Sequence, residues 1–262
     1  MTSTRDAATY LYCLVQADRR PPLAGAPRGL PGTGPLRLLE AGEELWLVVG
    51  DAPAAGYSRE AIERGLRDLE WVAVRGAAHA RVVEHCARRA TTLPMKLFTL
   101  FTSDERAVAH VRGDAARVRR VLTRVSGREE WGVRVRLDAA LVRKRAAARP
   151  APSADGGSAG TKFLLAKKQA RDVAREVLRE GRAAVEEAYE ELANLADATR
   201  RRPAGELEGT RLVLDAALLV PAGRLVSFKR LARRAATGLA ARGYRLSLTG
   251  PWPAYNFVGD GR

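Results

Sequence analysis

Three histidines, two cysteines and one adjacent pair of acids are the residues of this chain best suited to chemistry. His79 and His85 stand six apart on a predicted helix, whereas two metal ligands on one helical face need i, i+4 spacing. His110 has no such neighbour, and all three read as structural histidines. Cys86 adjoins His85, but consecutive helix residues point apart. Cys13 and Cys86 lie in apolar stretches and read as buried, reduced thiols without a disulfide framework. Glu129-Glu130 open a predicted strand, so their carboxylates face opposite ways. No Cys-x-x-Cys, His-Glu-x-x-His or Asp-rich calcium loop occurs, and Gly32-Thr33-Gly34 lacks the Gly-Lys-Ser/Thr of a phosphate cradle. The reading assigns no catalytic, cofactor or metal residues and does not expect an enzyme.

Charge is the stronger signal. The chain holds 45 basic and 30 acidic residues, a net charge of +15. From Ala216 to Gly259 there is no acid, while Lys229, Arg230, Arg233 and Arg234 lie opposite the apolar stripe of a predicted helix. Such a face suits phosphates or an acidic protein surface. No helix-turn-helix setting or stacking motif supports nucleic acid, so a basic nucleic-acid-binding module is the second reading.

These residues need elements to hold them. Tyr10–Val15 reads as a buried strand, Leu36–Leu39 and Leu45–Val49 as two more, and the Pro- and Gly-rich 18–35 as a loop. Ser58 caps a predicted helix through Leu69, with Ile62, Leu66 and Leu69 on one face. A second helix spans about 71–90, Met95–Phe101 fits a strand, and Ser103-Asp104 begin helices to about Val125. Trp131, Val133, Val135 and Leu137 alternate with Gly132, Arg134 and Arg136, the period of a half-buried strand.

Residues 146–160 are mostly Ala, Pro, Ser and Gly and read as a flexible loop. A long helix follows, about 162–199, with Gly181 as its bend. Its first half is basic and its second acidic, against the macrodipole, an order that suits antiparallel self-association. Arg211–Val220, a helix over 225–239 with Gly243 as its C-terminal glycine, and a strand from Tyr244 complete the chain. The expected fold is α+β in two domains: 1–126, and a ferredoxin-like 127–262 with one strand short or merged.

At 46% apolar and 29% charged residues the composition is globular. No apolar run reaches the length of a membrane span, and the start of the chain does not resemble a signal peptide. The expected location is cytoplasmic.

Six segments, in order, resemble the GvpL/GvpF family of gas vesicle proteins. They are the Tyr10–Val15 strand; Asp68-Leu69-Glu70-Trp71 with His79; Leu93-Pro94-Met95-Lys96-Leu97-Phe98-Thr99-Leu100-Phe101; Glu130-Trp131-Gly132-Val133; Gly160–Leu164 with Lys167-Lys168; and Gly250-Pro251-Trp252-Pro253-Ala254-Tyr255-Asn256-Phe257. Leu97-Phe98 stands where the family has Phe-Gly, and Ala254 replaces the second proline of the tail. The resemblance implies two α+β domains and no catalytic residues. It also implies a role in gas vesicle formation, with contacts to the shell protein GvpA and to accessory proteins. It does not separate L from F. The candidate partner-binding residues are Lys229, Arg230, Arg233, Arg234, Trp252, Tyr255 and Phe257. The tail also reads as a lock, with Pro251 and Pro253 stopping the last strand and the aromatics covering an apolar surface.

Overall fold

The computed structural model describes residues 7–148, 159–203, 206–207 and 210–259. Its contacts group the chain into two compact units, Met1–Gly127 with Trp252–Arg262, and Arg128–Pro251. The tail therefore groups with the first unit and not, as the sequence reading set it, with the second. The reason is packing: Phe257 is buried, and Val258 lies against the first unit's core.

The first unit runs β1 (Ala7–Gln16), β2 (Arg37–Gly42), β3 (Leu45–Pro53), α1 (Ala54–Tyr57), α2 (Arg59–Gly65), α3 (Leu69–Ala87), β4 (Thr91–Pro94), β5 (Leu100–Phe101), α4 (Asp104–Gly113) and α5 (Ala115–Val125). Its strands form an antiparallel sheet in the order β2-β3-β1-β4, with β5 also on β1. β1 is apolar and buried over Tyr10–Val15 because both its faces are covered there. Leu11 and Leu14 pack with Val111, Val121 and Leu122 of α4 and α5, whereas Tyr10, Tyr12 and Val15 pack with Val82 and Val83 of α3. An irregularity in register between Leu11 and Cys13 shifts the alternation.

Two expectations change here. The helix predicted from Ser58 through Leu69 stops at Gly65, and Asp68 caps a new helix by accepting the N–H groups of Glu70 and Trp71. Leu66 and Leu69 then face solvent, not a core. Of the strand predicted over Met95–Phe101 only Leu100–Phe101 forms; residues 95–99 are the turn that joins it to β4, with Phe98 at φ 64°. That is a left-handed conformation that favours glycine, and it falls where the family pattern has one.

The second unit runs β6 (Arg128–Leu137), α6 (Ala139–Ala147), α7 (Ala159–Ala193), β7 (Ala198–Arg202), β8 (Glu206–Leu207), β9 (Thr210–Pro221), a 3-10 turn (Ala222–Arg224), α8 (Leu225–Ala240) and β10 (Tyr244–Trp252). Its sheet order is β10-β6-β9-β7, with β8 paired to β9. Apart from α6 and β8, that is the β-α-β-β-α-β order of a ferredoxin-like unit. The strand missing from the sequence reading is β7. The long helix ends at Ala193 because the Asp197 N–H donates to the Leu219 carbonyl at 2.8 Å and the chain then pairs antiparallel along β9. The predicted loop at 146–160 narrows, since α6 reaches Ala147 and α7 starts at Ala159; residues 149–158 lie outside those described. The last strand does not stop at Pro251 but includes it. β10 is a sheet edge, where a missing N–H is tolerated.

The core beneath this sheet joins Val133, Val135, Leu214, Leu218, Val185 and Phe228. Gly181 has a packing reason that the sequence reading did not give it. A Cβ there would lie 2.1 Å from the Tyr244 ring, whose hydroxyl donates to the Leu178 carbonyl at 3.3 Å. The ring rests on bare helix backbone. Gly181→Ala therefore lowers the melting temperature of the second unit despite alanine's better helix propensity. The expected cost is about 1–3 kcal/mol of overpacking. A rise in melting temperature would mean that Tyr244 swings aside freely.

Candidate functional site

Three of the sequence segments meet inside the first unit, centred on His79. The ring is 3% exposed, and both its nitrogens are engaged. Nε2 lies 3.1 Å from the Met95 carbonyl, which can only accept, so this nitrogen carries the proton. Nδ1 therefore accepts the Tyr10 hydroxyl proton at 2.8 Å, and the Tyr10 oxygen in turn accepts the Phe98 N–H at 3.2 Å. The chain of bonds fixes one tautomer and ties β1, α3 and the turn after β4 together. Burial holds His79 neutral, with its pKa lowered to about 4, and pushes the Tyr10 phenol well up. Neither group is poised to exchange protons near neutral pH. The tail adds a fourth segment, with the Tyr255 ring 6.4 Å from His79.

Tyr12, beside Tyr10, pins the Pro- and Gly-rich loop between β1 and β2. Its oxygen accepts the Leu30 N–H at 2.9 Å, and a Cβ on Gly29 would collide with it at 2.3 Å. The Tyr57 hydroxyl donates to the Pro31 carbonyl at 2.6 Å. Trp71 lies against Gly65, where a Cβ would meet its ring at 2.5 Å. Arg75 covers Trp71 at 3.8 Å, and Phe98 stacks on it at 5.3 Å. That stack offsets the strain of the Phe98 backbone.

In the second unit, Gly250 lies on the strand carrying Trp131. A Cβ there would stand 2.9 Å from the Glu130 carbonyl oxygen and 3.1 Å from the Trp131 ring, and its φ is 136°. The glycine of the tail motif and the tryptophan of the Glu-Trp motif thus make one contact. Trp131 also donates its indole N–H to Glu129 at 3.1 Å. Asp215, the lone acid of β9, accepts from Arg134 and Arg202.

The predicted partner-binding residues fall on α8 of the second unit and on the tail that groups with the first. Lys229, Arg230, Arg233 and Arg234 lie on α8, as the periodicity implies. The Lys229 ammonium sits 4.7 Å over the Trp131 ring, and Arg234 pairs with Glu191 at 3.3 Å. Arg230 and Arg233 are exposed and make no ion pair among the described residues, and Val226 on the same helix is 80% exposed. In the tail, Phe257 is 3% exposed, but Trp252 and Tyr255 are 44% and 37% exposed. Phe257 acts as the lock, while the other two keep open surface. The acids in the second half of α7 are partly engaged, Glu186 with Arg201 and Glu191 with Arg234, which weakens the case for helix-to-helix self-association. Both cysteines are free and buried.

Tyr10, Tyr12, His79 and Phe98 stand apart along the chain, and their network is not among the expectations drawn from the sequence. A signal is present in the sequence: two tyrosines in the buried run Tyr10–Val15 carry hydroxyls that need buried partners.

Solved structures share this fold. One is the crystal structure of gas vesicle protein GvpF from Anabaena sp. PCC7120, with TM-score 0.67 and 17% identity, covering 98% of each chain. Another is GvpF from Microcystis aeruginosa, with TM-score 0.64 and 14% identity, covering 96% of this chain and 99% of that one. The family model for the gas vesicle synthesis protein GvpL/GvpF matches residues 8–259, and the chain belongs to that family. It is 31% identical over 261 residues to gas vesicle protein L of Streptomyces sp. (strain CB03234), covering 97% of this chain and 94% of that protein. Among the described residues, no helix is long and apolar enough to cross a membrane.

Proposed function

We propose that this chain is an accessory or minor structural protein of gas vesicle assembly, acting in the cytoplasm through contacts with GvpA and accessory proteins. The observation that carries the reading is the match of the family model along residues 8–259. The site geometry supports it. The motif side chains Tyr10, His79 and Trp131 are turned inward and spend their polar atoms on the protein itself, so they preserve a shape. The surface left for partners includes Arg230 and Arg233 on α8 and Trp252 and Tyr255 in the tail.

Deleting the chain from a vesicle-forming cell tests this. The expected result is loss of buoyancy and of vesicles by electron microscopy, with rescue by the intact chain. Arg230→Glu with Arg233→Glu is expected to weaken recovery of vesicle proteins in a pull-down. Normal vesicles in the deletion strain would end the assembly reading. A filter-binding series across salt addresses nucleic acid, for which a steep loss of binding with salt is the signature.

A further inference from the structure

α3 is mostly apolar over its first three turns, with Glu70 as the one exposed acid. From Leu69 to Ala80 its only polar side chains are Glu70, Trp71, Arg75 and His79, and three of these are spent inward or on each other. A helix with that composition is covered on every side or is waiting to be. One side of α3 covers the sheet; the other is open. Leu69 is 85% exposed and Val74 47%, Ala73 and Ala77 are exposed on the same helix, and Leu66 is 53% exposed just before it. Large apolar side chains grouped on a surface mark an interaction site more than scattered ones do.

Beside this face runs a groove of about 900 Å3, walled on one side by Val74, Ala78 and Arg81 of α3 and on the other by the loop at 23–36. The loop is held in place by Tyr12 and Tyr57, so the groove is pre-formed. Arg28 and Arg81 both line it. Neither side chain makes an ion pair or hydrogen bond among the described residues. Arg67, exposed at the near end, makes none through its side chain.

We infer that the outward face of α3 and the groove beside it dock an amphipathic helix with acidic flanks from another gas vesicle protein. The inference rests on the assembly reading above. The stripe of Leu69, Ala73 and Ala77 follows i, i+4, i+8 spacing, which gives an apolar ridge of about 12 Å along the axis. Small residues at 73, 76 and 77 let a second helix axis approach closely, and nothing within 4 Å would obstruct even a side chain at Gly76. The unpaired guanidinium groups at the groove call for carboxylates on the partner. A second copy of this chain fits poorly. Its net charge is +15, and Glu186 and Glu191 in its own acidic helix are already paired.

The test uses the full chain carrying a photo-crosslinking residue at position 69, expressed in vesicle-forming cells, with the crosslinked segment mapped by mass spectrometry. Pull-downs then compare wild type, Leu69→Asp with Val74→Asp, and Arg28→Glu with Arg81→Glu. Circular dichroism and melting check that these exposed changes leave the fold intact. The expected result is a crosslink to an acidic amphipathic helix of a gas vesicle protein, and at least tenfold lower recovery of that protein with either double variant. Reversing the mapped acids to lysine is expected to restore binding to the Arg28→Glu, Arg81→Glu variant. If wild type and variants recover gas vesicle proteins equally, the surface is wrong and the assembly reading stands. If wild type recovers none, both fall. A crosslink to lipid, to a second copy, or to a basic or extended segment overturns the partner chemistry.

Discussion

Replacing Phe257 with alanine lowers the stability of the first unit by about 3–5 kcal/mol, the range for emptying a buried aromatic site. Phe257 is 3% exposed, its carbonyl accepts from Arg124 at 3.5 Å, and Val258 beside it packs with the core formed by Leu11, Leu14, Val111 and Val121. Hydrogen exchange reads the effect by segment. Protection falls in β1 and α5 and stays in β6 and β9, because the tail groups with Met1–Gly127. Tyr255→Ala, at a side chain 37% exposed, has a much smaller effect. Truncation after Gly250 is expected to cost at least as much as the single substitution. Unchanged melting together with lost partner binding would reassign the tail from lock to contact.

The second large effect is acid sensitivity through His79. In the folded chain its pKa is lowered from 6.5 to about 4, because charging the ring would place a cation in the core and remove the acceptor for Tyr10. The unfolded chain takes up this proton near pH 6.5, and the folded chain resists until about pH 4. Across that window the unfolded state holds more protons, so stability falls as pH falls. Over the whole window the loss is about 3 kcal/mol from this one side chain. His79→Gln keeps one acceptor and one donor but cannot titrate. Urea unfolding of both proteins from pH 7.5 to 4 is expected to show the wild type losing its advantage as the solution acidifies. Parallel curves would mean that His79 does not control the acid limb.

How legible this was depends on range along the chain. β1 was readable because its middle, Tyr10–Val15, is covered on both faces and runs apolar, and β6 because one alternating face suffices to show a strand. The caps Ser58 and Ser103 were local signals and held, as the N–H groups of Ala61 and Arg106 donate to them. β7 was lost because Ala198–Arg202 has no apolar alternation of its own. Its strand character comes from pairing with β9, set far along the chain. The exposed Leu66 and Leu69 misled for the opposite reason: they obey helical spacing but face away from the core. Each motif of the His79 network was visible alone, yet its partner lies 69 or 88 residues away. No local pattern encodes such a pairing.

The grouping of the tail with the first unit has a consequence for biosynthesis. Met1–Gly127 leaves the ribosome first, yet the piece holding Phe257 emerges only after the whole of Arg128–Pro251 has been made. At translation rates of about 5–20 residues per second, that gap is roughly 6–25 seconds. During it the nascent first unit presents the apolar surface that Phe257 and Val258 later cover. The interval is a window for chaperone capture, and any ribosome that stalls within it releases a chain whose oldest part is still unfinished.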